Sequence, residues 1–303
     1  MKYDDNARIE QSDVEDIRGA GPARGRAGGG GAALKLGGGG AAIAIIVALA
    51  SQLFGVNLSG LLGGGDSSGG GSPSQVGNTG PANNAPPIDP KNDPDAALKL
   101  FVQRTMTDIQ DTYTKVFQQN NLTYERAKLV IFTDAVDTGC GLSSAEIGPF
   151  YCPPDKKAYI DFSFYQVLSK RLGAPGDFAQ AYVLAHEVGH HLQNILGVEE
   201  KVRRINKPKN LLSVVQELQA DCYAGVWGFY AKQRGILEIG DIEEAIVAAQ
   251  SIGDDRLQKQ AGINPNAETF THGSSAQRVK WVKTGLASGR LQDCDTFAPG
   301  VSL

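Results

Sequence analysis

The sequence predicts an α+β fold, mostly helical, confined to residues 96–303. Three observations predict it. Composition changes abruptly near residue 95, two short β-type runs follow among a series of helical patterns, and one of those patterns contains the stretch LAHEVGHHLQN. Three of the four His in the chain (His186, His190 and His191) fall in that stretch.

Residues 1–95 are crowded with glycine, in runs such as GRAGGGGAALKLGGGG, and contain no Cys, His or Trp. Such a composition buries too little apolar surface to offset the entropy of ordering the chain. One apolar stretch interrupts it, AAIAIIVALASQLFGVNLSGLL over 41–62. As a helix it would be ~33 Å long, enough to cross a bilayer. Arg24, Arg26 and Lys35 precede it and no Lys or Arg follows until Lys91, which predicts the N-terminus inside and the domain outside. Two other readings are a signal peptide cleaved after Ala50 and a buried soluble helix. The expected organisation is therefore a disordered Gly-rich cytoplasmic tail (1–40), a transmembrane helix (41–62), a Gly/Ser/Pro-rich linker (63–95) and one folded domain (96–303). The net charge of −4 and the absence of a Lys/Arg-rich run in the domain argue against a nucleic-acid partner.

Within the domain, Asp95–Asn120 has helical spacing, with Leu98, Phe101, Val102, Met106, Ile109, Tyr113 and Phe117 on one stripe. AKLVIFTD (127–134) reads as a buried strand and AYIDFSF (158–164) as a second, with a loop between them. A helix over 164–172 leads to GAPGD, where Asp177 is an N-cap candidate. The helix that follows runs through HEVGH and stops near Gly197. VEEKVRRINKPKN reads as a charged, exposed loop, LLSVVQELQADCYAGVWGFYAKQ (211–233) as a long helix, and 241–252 and 274–287 as two more.

The chemistry concentrates in two of these helices. His186 and His190 are four apart, hence on one face and able to bind one ion, while Glu187 can reach a water at a third position. Two His and a Glu on an apolar helix would otherwise be buried without evident partners. A catalytic zinc needs a third protein ligand and an open position. Glu217 in QELQAD is the candidate, and Asp221, one turn on, can accept the remaining N–H of a ligand histidine. His272, in THGSSAQR, is either a surface turn histidine or a donor to an oxyanion, with Arg278 orienting it or pairing with an acid of the site. His191 lies off the ligand face and is expected to be structural. The four cysteines, all in the domain, form no C-x-x-C pair. In an exported domain they suggest disulfides, Cys140 with Cys152 across a short loop and Cys222 with Cys294 by elimination; four free buried thiols are the alternative.

Together, NARIEQSDVEDIRG, TGCG…GPFYCPPDKKAYID, LAHEVGHHLQN, ELQADCYAGVW, THGSSAQRVKW and CDTF resemble the neutral zinc metallopeptidase family of YpfJ-like, membrane-anchored proteins. The resemblance implies a zincin-like metallopeptidase domain holding one zinc ion per chain. It implies His186, His190 and Glu217 as ligands and Glu187 as catalytic base, and it nominates Ala158–Phe162 as the strand that receives a peptide substrate by β-augmentation. The function expected is a membrane-anchored zinc endopeptidase acting on peptides or proteins outside the cytoplasm. The alternatives are an envelope-interaction protein with a structural zinc and a cell-wall peptide amidase.

Overall fold

The structure, a computed structural model, describes residues 1–19, 88–89 and 91–303. The apolar segment 41–62 and nearly all of its glycine-rich flanks lie outside the described residues. Among the described residues no helix is long and apolar enough to cross a membrane.

Strand β1 (Val14–Asp16) comes first, then helix α1 (Ala96–Gln119), which buries Val102, Met106, Ile109, Tyr113 and Phe117 at the spacing of one helical stripe. Strand β2 (Lys128–Phe132) is buried from its second residue onward, as a central strand covered on both faces should be. The stretch expected as a loop holds three short strands: a hairpin of β3 (Ala135–Thr138) and β4 (Gly141–Ser144), then β5 (Phe150–Cys152). They are too short, and too rich in Gly and Ser, to leave a period-two pattern. Strand β6 (Lys157–Asp161) follows, then α2 (Ser163–Lys170). The sheet order is β1-β2-β6-β5, parallel except for β5.

Helix α3 (Asp177–Ile195) is buried almost all round, so it runs through the core rather than along the surface. Its N-cap is Gly176 (φ 122°), not Asp177, and Glu244 accepts from the Phe178 N–H at 3.0 Å. It stops at Gly197, whose φ of 67° suits the left-handed position after a helix. The segment expected as an exposed loop begins with a short helix, α4 (Val198–Arg203), because Val198 and Val202 give it a buried side. Then come α5 (Lys209–Gln233), α6 (Asp241–Ser251), α7 (Asp254–Gln260) and α8 (Ser275–Ser288).

Two glycine contacts set the packing around α5. A Cβ on Gly189 of α3 would lie 2.8 Å from the Ala220 carbonyl oxygen, and one on Gly285 of α8 only 2.0 Å from that of Cys222. Only hydrogen fits at either place, so the three helix backbones approach closely along one stretch of α5. Disulfides join Cys140 to Cys152 and Cys222 to Cys294, the second tying α5 to the C-terminal segment.

Residues 1–19 differ from the expected disordered tail, for they are folded onto the domain. β1 lies parallel to β2 in register Val14–Leu129, Glu15–Val130 and Asp16–Ile131. Glycine enters only at residue 19, so a composition averaged over 95 residues hid a short segment of ordinary sequence. Arg18, 5% exposed, clamps Asp16 and Asp93. Burial pushes the Asp16 carboxyl up, but its bonds to Arg18 and Lys99 outweigh this and bring it from 3.8 down to about 2. A depressed carboxylate adds stability that is full above its unfolded value and lost as the pH falls through its folded one. The Tm difference between wild type and Asp16→Asn should therefore be constant above pH ~4 and shrink toward pH ~2. A difference that stays flat down to pH ~2 would contradict the assigned pairing.

Candidate metal centre

His186 and His190 stand one turn apart on α3, facing Glu217 and Asp221, one turn apart on α5. His186 Nε2 lies 3.2 Å from His190 Nε2 and 3.2 Å from Glu217 Oε2, and His190 Nε2 lies 3.5 Å from Glu217 Oε1. The other ring nitrogens are committed. His186 Nδ1 is 2.9 Å from Asp221 Oδ1, which can only accept, so Nδ1 carries the proton. His190 Nδ1 is 2.9 Å from Gln193 Oε1; the Gln193 amide nitrogen donates to Gln216 O and Gln219 Oε1, so that oxygen must accept. Both Nε2 atoms and a carboxylate thus converge on one point, with Nδ1 of each ring already committed elsewhere. The donor set fits a cation there: two imidazole nitrogens and one carboxylate oxygen, as zinc takes, with Asp221 and Gln193 fixing the tautomers.

The electrostatics agree. Burial lowers the His186 pKa, but Asp221 and Glu217 outweigh it and raise it to about 10, so the two carboxylates draw positive charge to this ring. The histidines hold the Glu217 carboxyl well below its usual range against burial, which alone would raise it. Behind Asp221 sits Arg278, 2% exposed, donating from Nε to Oδ2 at 2.9 Å and from Nη2 to Oδ1 at 2.8 Å. Tyr182 donates its hydroxyl to the same Oδ1. Of the two roles expected for Arg278, the structure has it paired with an acid of the site.

Glu187 is 6% exposed, and its carboxylate has no hydrogen-bond partner among the described residues. Burial, reinforced by Glu217, pushes its carboxyl up, against the pull of His186, His190 and Arg278. His272 lies in the loop before α8, near enough to Glu217 for their charges to interact. Its Nδ1 faces Thr271 Oγ1 at 3.0 Å and Asp254 Oδ1 at 3.2 Å, leaving Nε2 without a protein partner among the described residues. Asp254 holds the whole loop: its Oδ2 accepts the N–H groups of Thr271, His272 and Gly273 at 2.7, 2.7 and 3.0 Å.

His191 points away from this group. Its Nε2 donates to the Glu125 carbonyl at 2.6 Å and its Nδ1 accepts from Tyr151 at 3.0 Å, which pins α3 to β5. The first part of the strand nominated to receive substrate is not a free edge, because β6 pairs with β2 over Lys157–Asp161 and with β5 over Lys157–Tyr159; Ile160 and Asp161 have no β5 partner. On this side of the sheet the free edge is the outer side of β5. Sequence reading missed Gln193, Tyr182 and Asp254. Gln193, three residues past His190, carried a helical-spacing signal, and Tyr182, four before His186, carried another; nothing local marked Asp254. A second carboxylate group, Asp177, Asp241 and Glu244, lies at the start of α3, where Asp177 and Asp241 take the Met1 ammonium.

The fold and the site define an α+β domain whose central helix presents two histidines to a carboxylate on the neighbouring helix, with a carboxylate and an amide holding the rings. Residues 1–297 match the family described as "Putative neutral zinc metallopeptidase", and the chain belongs to that family. It is 43% identical over 301 residues to "Uncharacterized protein YpfJ" of Escherichia coli (strain K12), covering 97% of this chain and 98% of that protein. It is also 47% identical over 186 residues to "Uncharacterized protein Rv2575" of Mycobacterium tuberculosis (strain ATCC 25618 / H37Rv), covering 58% of this chain and 64% of that one. No solved structure matches it.

Proposed function

We propose that the chain is a zinc-dependent endopeptidase that hydrolyses peptide bonds in exported peptides or proteins, and that the segment 41–62 associates it with a membrane. The observation that carries the reading is the convergence of two Nε2 atoms and the Glu217 carboxylate on one point, beside an unpartnered buried carboxylate. His186, His190 and Glu217 would hold the ion. When bound, zinc supplies a Lewis acid that polarises a carbonyl and acidifies a water. Glu187 takes a proton from the attacking water and hands one to the leaving amine, a role suited to a carboxyl raised by burial. His272, whose pKa burial lowers but Asp254 and Glu217 raise more, donates in its charged form from Nε2 to the oxygen that gains charge, held in aim by Asp254 through Nδ1. A peptide adding along the outer edge of β5 would supply its own backbone pairing. The two disulfides support an oxidising compartment outside the cytoplasm.

The test uses the full chain, because residues 1–19 are part of the fold. It should hold about one zinc, as a single three-ligand site with an open position implies, and cleave members of an unbiased peptide library. Zinc without turnover on any peptide would favour the structural-metal alternative, and turnover of cell-wall peptides alone the amidase. His272→Ala should leave zinc content and Tm unchanged and lower kcat by ~10²–10³ with little change in KM. Unchanged turnover would remove the oxyanion role, and lost zinc would make His272 a ligand.

A further inference from the structure

Residues 1–19 are bound to the domain along their whole length. The Lys2 N–H donates to Ile236 O at 2.8 Å, Tyr3 donates to Thr105 at 3.1 Å, and the Glu10 N–H to Thr107 Oγ1 at 2.9 Å. Asp13, 2% exposed, takes Arg126 through both oxygens at 2.5 and 2.9 Å. β1 then pairs with β2, and the Ile17 N–H continues the ladder onto Ile131 O at 2.9 Å. At the exit Arg18 bonds Asp93, 75 residues on in sequence, at 2.6 Å, and Asp95 at 2.9 Å. The described residues on the two sides of 20–87 therefore meet at one guanidinium.

That closure conflicts with a single membrane crossing between the two points. One crossing puts the residues before it and after it on opposite faces of a hydrocarbon layer ~30 Å thick. No strand pairing spans that distance. Without β1, the β2 edge would present unpaired backbone groups, Arg126 would lose Asp13, and Asp93 would lose Arg18. A stretch of 22 residues is long enough to cross once as a helix and too short to cross twice. We propose that residues 1–19 lie on the same side of the membrane as residues 91–303. The orientation read from Arg24, Arg26 and Lys35 then gives way to the strand pairing. The proposal does not depend on the catalytic reading.

The geometry supplies its own test. Lys157 Nζ lies 2.8 Å from Glu15 Oε2, a pair that exists only while β1 is in the sheet; Lys156 Nζ lies 2.6 Å from Glu125 Oε2, wholly within the domain. Both pairs reach solvent. A water-soluble carbodiimide applied to membranes from cells making the full chain should link Glu15 to Lys157 in a yield comparable to the Glu125–Lys156 control. In intact cells, reporters Asp5→Cys and Lys207→Cys, both at exposed positions, should react with a membrane-impermeant maleimide to the same extent, before and after lysis. A control link formed without the Glu15–Lys157 link would overturn the proposal. So would labelling of the two cysteines from opposite sides. The cross-link reads native chain, so it stands even where a cysteine variant fails to fold.

Discussion

Glu187→Gln should keep its zinc and its Tm while losing peptide hydrolysis by about 10²–10⁴-fold, the contribution of a positioned general base. The amide copies the shape of the carboxyl and cannot take a proton. Glu187 makes no hydrogen bond that the change would break among the described residues, and its charge is already disfavoured by burial. The fold should therefore tolerate the substitution. His186→Ala behaves differently: it removes one of three converging donors and the imidazole bonded to Asp221, so zinc should be lost and Tm should fall with the activity. Zinc analysis, thermal unfolding and turnover on the two variants separate the roles. A Glu187→Gln protein with wild-type turnover would remove the base assignment, and a His186→Ala protein with full zinc would remove the ligand set.

Arg278→Leu should destabilise the protein by about 3–5 kcal/mol, the cost of breaking a buried ion pair by removing one partner. Arg278 and Asp221 are 2% and 0% exposed, and the two charges meet through two hydrogen bonds. With the guanidinium gone, Asp221 keeps only His186 and Tyr182 against the loss of hydration. At about 2–4 °C per kcal/mol for a domain of this size, Tm should fall by roughly 6–20 °C. Asp221→Asn in the same chain removes the stranded charge, so the double variant should lose less than the two single losses added together. It should also bind zinc about 10–100-fold more weakly, since Asp221 orients His186. Additive losses, or an Arg278→Leu Tm within about 2 °C of wild type, would mean that the pair is solvated in solution.

The candidate ligands were legible because each pair is a local pattern. His186 with His190, and Glu217 with Asp221, are spaced at one helical turn, and both helices are apolar enough to be recognised from periodicity alone. Asp254 was not legible. It reaches His272 from 18 residues away through side-chain and backbone hydrogen bonds that leave no periodicity. The loop 137–157 concealed β5 for a related reason: a three-residue strand takes its identity from the β6 backbone beside it, not from its own side chains. The same holds for β1, which reads as part of a polar tail until β2 supplies its partners.

Sequence by itself determined that a mostly helical α+β domain fills the C-terminal two-thirds, and that one helix brings two histidines to a common face with a glutamate beside them. It also limited the cysteines to a few pairings. Tertiary structure alone decided which way each imidazole is protonated, because that follows from Asp221 and Gln193. It also decided that Arg278 serves Asp221 rather than His272, and that β6 is paired on both sides over Lys157–Tyr159. It alone decided that the first residues belong to the domain. Helical spacing is written within a few residues and survives in the sequence; hydrogen bonds between distant segments form only when the close approaches at Gly189 and Gly285 bring the helices together.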